Sequence, residues 1–359
     1  MIAEIRPLDT LFFRDGKPFS RGDESWADGV FPPYPSVIFG ALRTWYITNH
    51  AEAFSKKVIG ESAGIVIKNI QYRIPKGIYL PMPLDLAEPK EKDKKKKRLE
   101  QSDKEYEVVR LKPQKIEGLL SNHPCQTILI PPPGYIVEEV EHGLVQQEDM
   151  KTYLNSPGEH FKIRKLDDFA QTEPKTGIGR NDFTNTASDA LLYRVGMRRA
   201  SEFEILINFE SPENDTLSKQ QSFFIKLGAE NKVAQLRSSR QRIAISPEDV
   251  KLEGNRFKLY LSTPAIFDQG WKPDLSKFGI QANLVAAAVG KPVHIGGFDM
   301  AEGKPKVMYK AVPAGSVYFY ETSEDINFVK EKLFGKAISE KMPEQGFGIA
   351  YLGNWKINP

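Results

Sequence analysis

Three short glycine-bearing segments can hold an anion through the backbone alone: Gly177-Ile178-Gly179-Arg180-Asn181, Ile295-Gly296-Gly297-Phe298 and Gly346-Phe347-Gly348. Without a Cβ, glycine lets backbone N–H groups approach a phosphate oxygen closely; an ordinary turn is the other use of each segment. Basic residues gather at Arg194, Arg198 and Arg199, and again at Lys232, Arg237, Arg240 and Arg242. Arg237 and Arg240 bracket Ser238 and Ser239, which suits a strand or loop edge facing a polyanion, or a solvated strand face. Tyr34, Phe39, Tyr193 and Tyr351 stand beside such groups. An aromatic ring can stack on a base at roughly 1–3 kcal/mol, although the same rings also fill cores. Together these residue types are those of phosphate and base binding.

Catalytic patterns do not emerge with the same coherence. The sequence has no G-x-x-x-x-G-K-[ST] loop, no H-E-x-x-H and no Gly-x-Ser-x-Gly. Its five histidines, His50, His123, His142, His160 and His294, are scattered. His142 and His160 flank a polar region, so the enzyme alternative is a metal-free ribonuclease using a histidine base. The pair Asp167-Asp168 has no visible partner. The single cysteine, Cys125, excludes an internal disulfide and a multi-cysteine zinc site. We therefore expect no cofactor and no bound metal.

With 359 residues the chain is long enough for two domains. Its 40% hydrophobic and 27% charged residues are those of an ordinary globular protein. A net charge of +3 neither requires nor excludes nucleic acid, since a basic groove can be offset elsewhere. No apolar run approaches the roughly 18 residues that span a bilayer, and the N-terminus lacks the pattern of a secretion signal. A soluble, cytoplasmic protein with no membrane partner is expected.

The first forty-odd residues must position the earliest basic groups. Ile5 to Gly16 is apolar and β-prone up to Asp15-Gly16, so the pattern predicts a buried strand. Phe31-Pro32-Pro33-Tyr34-Pro35 forces an extended lead-in. Ser36 then stands where a helix N-cap belongs, with Ile38, Leu42 and Trp45 on one face. Arg14 at the strand end and Arg43 on the helix can thus face the same loop mouth.

Further along, 64–67, 70–74 and 78–81 read as short strands. The charged run 88–98 reads as a mobile loop or a basic arm, and 99–190 as a loop-rich insertion with an island at 127–130. Two antiparallel strands follow at 190–195 and 203–209, then a helix over 218–227 with Phe223, Phe224 and Leu227 on one side, then a basic strand from Val233 to Arg242. The order strand, helix, two strands, helix, strand is that of a ferredoxin-like unit. The remainder repeats it: strands at 257–261, 293–298, 317–320 and 348–355, with 284–289 either helix or buried strand. A last helix is N-capped by Ser323 and buries Ile326, Val329 and Leu333. The run 10–16 faintly matches 264–270. The fold class expected is α+β: two tandem ferredoxin-like (RRM-like) domains, 1–247 with an insertion at about 85–190, and 248–359, the boundary lying near Ser246-Pro247.

The runs IRPLDTLFFRDGKPF and PPYPSVIFGALRTW, followed by TGIGRN, LYRVGMRRA, LSTPAIFDQGW, IGGFDMAEGKPK, VPAGSVYF and GFGIAYLGNW in that order, resemble the RAMP-superfamily subunit of type III-B (Cmr) CRISPR effector complexes. The resemblance implies a non-catalytic subunit that binds the crRNA and seats its 5′ tag. It would dock on the large palm-domain subunit of the Cmr complex and abut the repeating backbone RAMP subunit. It also implies that the loop at Gly346 and Gly348 packs against RNA. The RNA-binding positions expected on these grounds are Arg14, Ser36, Arg43, Gly177, Gly179, Arg180, Asn181, Arg194, Lys232, Arg237, Arg240, Gly296, Gly297, Gly346, Gly348 and Tyr351. A RAMP-fold endoribonuclease that processes precursor crRNA, with His50 or His160 as the base near a 2′-hydroxyl, and the equivalent subunit of a type III-A complex are the alternatives.

Overall fold

The computed structural model describes residues 1–14, 26–50, 64–90, 104–118, 127–155, 158–180, 184, 186–212, 217, 222–241, 245–299 and 302–356. Asn181, Arg242, Cys125, His123 and residues 91–98 of the charged run lie outside them. The fold is α+β, with mostly antiparallel sheet and few helices.

The first strand, Ile2–Pro7, buries Ala3 and Ile5 on one side and sends Glu4 to the other, as strand alternation requires. It ends sooner than the sequence suggests. Leu11 and Arg14 leave the sheet and make isolated bridges to Arg198 and Gly29. The strand pairs with Val233–Ser238 on one flank and Glu204–Glu210 on the other, which in turn pairs with Val66–Ile74.

Helix α1 (Pro35–Asn49) covers the apolar side of this group. Ile38, Leu42, Trp45 and Tyr46 are buried at three- and four-residue spacing, against Ile5, Ile205, Ile207, Phe209 and Leu236. Ser36 is not its N-cap. Pro35 already holds the first helical position, where its fixed φ suits the start, so Tyr34 is the N-cap and offers no side-chain bond.

The helix suggested over 218–227 is corrected. Ser222–Lys226 is a strand paired with Val233–Ser238. Phe223 packs edge-on against Trp45 with ring centres 5.5 Å apart, whereas Phe224 points the opposite way and is 75% exposed. A β-prone Phe-Phe-Ile run with a hairpin partner beside it follows its neighbour rather than its local helical pattern.

The expected loop-rich insertion is corrected as well. It carries strands at Tyr106–Arg110, Lys112–Lys115, Thr127–Ile130, Gly143–Gln146 and His160–Lys165, and helix α2 (Gln147–Asn155). Three of these strands carry the first sheet onward past Gly77–Pro81: Gly143–Gln146, then His160–Lys165, then Tyr106–Arg110. His160-Phe161-Lys162-Ile163 alternates exposed and buried, a period-two signal hidden by charged residues on the wet face.

In the second half, Ala282–Ala288, Val317–Thr322, Arg256–Leu261, Ile349–Gly353 and Lys336–Ala337 form one sheet in that order. The ambiguous 284–289 run is therefore strand. Helix α3 (Ile326–Leu333) buries Val329 and Leu333 as the sequence suggests, but its cap is Asp325, which accepts from the Asn327 N–H at 3.0 Å, rather than Ser323. Among the described residues no helix is long and apolar enough to cross a membrane.

One core lies under α1. A larger one joins Leu80, Val108, Met150 and Phe161 from the middle of the chain to Phe257, Leu259, Tyr318 and Leu352 from its end. That joint also holds buried charge. The Tyr153 carbonyl accepts from Arg110 Nη2 at 2.9 Å and Lys258 Nζ at 2.8 Å, while the Tyr153 hydroxyl donates to Asp85 at 2.8 Å. The Lys258 ammonium lies 3.4 Å from the centre of the Tyr153 ring. Burial, then the nearby Arg110 charge, push the Lys258 ammonium well below the usual lysine range.

On the outer face of the first sheet, Arg73 bonds Glu4 and Glu204, each at 2.6 Å, and Arg237 bonds the same two carboxylates at 2.7 and 3.0 Å. Burial alone pushes the Glu4 carboxyl up, but bonds from Arg73, Ser239 and Arg237 outweigh it and hold it at about 2. The folded value lies below the unfolded one of about 4.3. Its stabilisation is therefore complete above that value and is lost as pH falls towards 2. Denaturation midpoints should drop with acid in the wild type and less steeply in Glu4→Gln; equal slopes would remove this network from the acid response.

Candidate nucleic-acid interface

The strands Ala170–Arg180 and Ala187–Ala200 form a long antiparallel hairpin. Its shorter arm is about 35 Å long at the usual rise per residue. Trp26–Asp28 adds a third strand, parallel to Arg194–Gly196. The base of the hairpin is tied down twice. Leu11 and Arg198 exchange backbone bonds of 2.8 and 2.7 Å. Asp167 binds His142 at 3.2 Å and Arg198 at 3.5 Å. The hydrogen bond that the His142 ring N–H donates to Asp167 raises the imidazole above its ordinary range, and His142 in turn lowers the Asp167 carboxyl.

This three-strand edge brings together residues far apart in sequence. Arg14 bridges Gly29, which directly follows the strand that pairs with Arg194–Gly196. Arg14 and Arg194 are both exposed there. On the same hairpin Arg199 pairs with Glu173, and Lys175 with Glu230 at 2.7 Å. Gly177 is a strand residue opposite Tyr193, and Arg180 sits at the hairpin end opposite Ala187. Gly179 lies between them within the strand, so this glycine segment is an extended arm rather than a tight cradle.

The remaining expected positions lie elsewhere. Arg43 is half-buried on α1 and its Nε is enclosed with no hydrogen-bond partner; no ion pair holds it among the described residues. Ser36 is half-buried in the first turn of α1. Lys232 pairs with Asp9 at 2.6 Å and holds that carboxyl low. Arg237 is consumed by Glu4 and Glu204, whereas Arg240 is exposed. Gly296 and Gly297 belong to an exposed hairpin that brings Lys306 N–H to the Gly297 carbonyl at 2.9 Å.

Gly346, Gly348 and Tyr351 are buried. A Cβ on Gly346 would stand 2.8 Å from Ile67 Cγ2, and one on Gly348 2.5 Å from the Ser339 backbone nitrogen. The Tyr351 hydroxyl accepts from Asn69 at 2.6 Å. Gly346 and Tyr351 thus close the contact between the two halves, while Gly348 packs within the second half.

Sequence reasoning misses an apolar cavity of about 230 Å³ beside that contact, lined by Phe31, Tyr34, Tyr72, Met82, Thr263 and Pro313 among others. The Pro-rich lead-in is the one signal that points to it, since those prolines wall one side. His50 caps α1 through Tyr46, with Nδ1 2.8 Å from its carbonyl, and His160 lies exposed on a separate strand beside Tyr135; the two are not part of one cluster.

A family model described as CRISPR-associated protein (Cas_Cmr3) matches residues 3–355. No curated protein matches the chain. Among solved structures, a chain of the type III-B Cmr-beta complex bound to cognate target RNA and AMPPnP is 18% identical, with a TM-score of 0.51 over 92% of this chain and 89% of that one. A chain of the same complex bound to cognate target RNA is 16% identical, with a TM-score of 0.50 and the same coverage. At these identities the likeness is one of fold.

Proposed function

Because this chain belongs to the Cas_Cmr3 family of CRISPR-associated proteins, we propose that it is a non-catalytic crRNA-binding subunit of a type III-B effector complex. It seats the 5′ tag of the crRNA, docks on the large palm-domain subunit and abuts the repeating backbone RAMP subunit. The observation that supports the tag seat is that the exposed Arg14 and Arg194 belong to neighbouring strands along one edge of the long hairpin. An exposed pair of guanidinium groups can grip phosphates bidentately where lysine offers only a point charge. Both halves support the tandem ferredoxin-like reading. In each sheet the fourth, first, third and second core strands lie side by side: 233–238, 2–7, 204–210, 66–74, and 349–353, 256–261, 317–322, 282–288.

Crosslinking the chain to a crRNA labelled at its 5′ tag tests the assignment, and adducts should map to the residues around 10–14 and 194–199. Arg14→Ala should weaken binding of tagged RNA about tenfold, as loss of a charge-assisted bond does, and weaken untagged RNA much less. Equal losses for both RNAs would leave only general phosphate attraction. Arg43 stays in the proposed seat as a third phosphate contact; since part of its guanidinium is enclosed, Arg43→Ala has to be read with a thermal-unfolding control.

A further inference from the structure

The outer face of the first sheet carries an aromatic platform at its free edge. Strand register aligns Phe224, Gln235 and Arg6 in one row across successive strands. The neighbouring row is Lys226 and Val233, with Leu8 hydrogen-bonded to Val233 through its N–H at 3.2 Å. Phe224 is 75% exposed, Leu8 51% and Val233 38%. α1 covers the other face, and Ser222–Lys226 ends the sheet.

The charges around this platform are not balanced. Glu4 and Glu204 are each bound by both Arg73 and Arg237, and Asp9 is bound by Lys232. Arg6, two strands across from the ring, and Lys226, two residues along its own strand, remain exposed; among the described residues Lys226 bonds Asn231 at 3.2 Å. Arg6 and Phe224 are two strand spacings apart, about 10 Å, a distance one nucleotide bridges from base to phosphate. The three apolar side chains cover far less than the ~800 Å² a stable protein partner buries.

We propose that this face is a second nucleic-acid site, a stacking platform for single-stranded RNA. A base lies on Phe224, its edge meets the Gln235 amide, and the flanking phosphates rest on Arg6 and Lys226. Any base can stack there, so the platform is indifferent to sequence and separate from the tag seat.

The test uses the full chain and a short oligouridine with no tag, carrying one 2-aminopurine. Phe224→Ala should lower affinity about tenfold and abolish the quenching of 2-aminopurine emission, while Phe224→Trp retains both. Arg6→Ala should weaken binding and flatten its dependence on salt. Phe224 is exposed, so the fold should survive; unchanged thermal unfolding checks this. Wild-type affinity and quenching in Phe224→Ala would overturn the proposal. So would intact RNA binding together with loss of a neighbouring protein subunit, which would make the face a protein contact. Arg14→Ala separates the two readings: if it fails to distinguish tagged from untagged RNA, the tag seat falls and the platform stands.

Discussion

Replacing Asp85 with alanine is expected to lower the stability of the chain by about 3–5 kcal/mol, the cost of leaving a buried charge without its counter-charge. Asp85 is fully buried, and it is the carboxylate in a cluster that also contains Arg110, Lys258 and Tyr153. Burial holds Lys258 towards its neutral form, which leaves Arg110 as the cation that Asp85 must offset. Arg110→Met in the Asp85→Ala background should therefore recover much of the loss, since the stranded charge goes with it. A second readout follows from Lys258. Its folded pKa lies below its unfolded value of about 10.4, so the unfolded chain binds more protons and stability rises with pH up to that value. Lys258→Met should flatten that rise. A loss below about 1 kcal/mol in Asp85→Ala, the level of an ordinary surface change, would show that water reaches the cluster.

Gly348→Ala is expected to cost roughly 3 kcal/mol or more, from left-handed strain of about 1–2 kcal/mol and overpacking of similar size. Gly348 has φ +73 and would set its new methyl against a backbone nitrogen, which cannot swing aside. Its own N–H and carbonyl are bonded to Pro264 and Ile338 at 2.7 and 2.9 Å. Gly346→Ala should cost less, although its φ is +89, because the obstacles are side-chain atoms, Ile67 Cγ2 and Cβ, rather than backbone. Urea midpoints would rank the two variants. The reverse order, or RNA binding lost in a Gly348→Ala chain that unfolds like the wild type, would restore the glycine loop to the RNA interface.

What could be read in the sequence was local. The strand, Pro-rich lead-in and first helix announce themselves within fifty residues, because the periodicity of Ile38, Leu42 and Trp45 depends on the helix alone. The family resemblance is legible for a similar reason, as an ordered series of short runs. Arg237 shows the opposite case. Its composition suggests a polyanion contact, but its partner Glu4 is 233 positions away, and only the register of three strands brings them together. The long hairpin escapes notice because Glu173, Pro174 and Lys175 carry no apolar alternation. Gly346 and Gly348 owe their identity to Ile67 and Ser339, which no local pattern connects to them. The strand at 222–226 shows pairing overriding a plausible helical spacing.

The pairing of the first strand also has a consequence for synthesis. Ile5 lies against Ile205 and Ala3 against Ser238, so an inner strand of the first sheet is made first and completed late. At about 5–20 residues per second on the ribosome, it waits for tens of seconds with both edges open. Closing loops of that length costs entropy before any contact repays it. The larger core adds to the delay, because Val108, Met150 and Phe161 meet Phe257 and Leu352 only when the chain is nearly finished. The yield of this subunit should therefore respond to chaperone supply and translation speed more than to its final stability, and a transcript cut near residue 246 should release a chain whose middle strands aggregate through an uncovered apolar side.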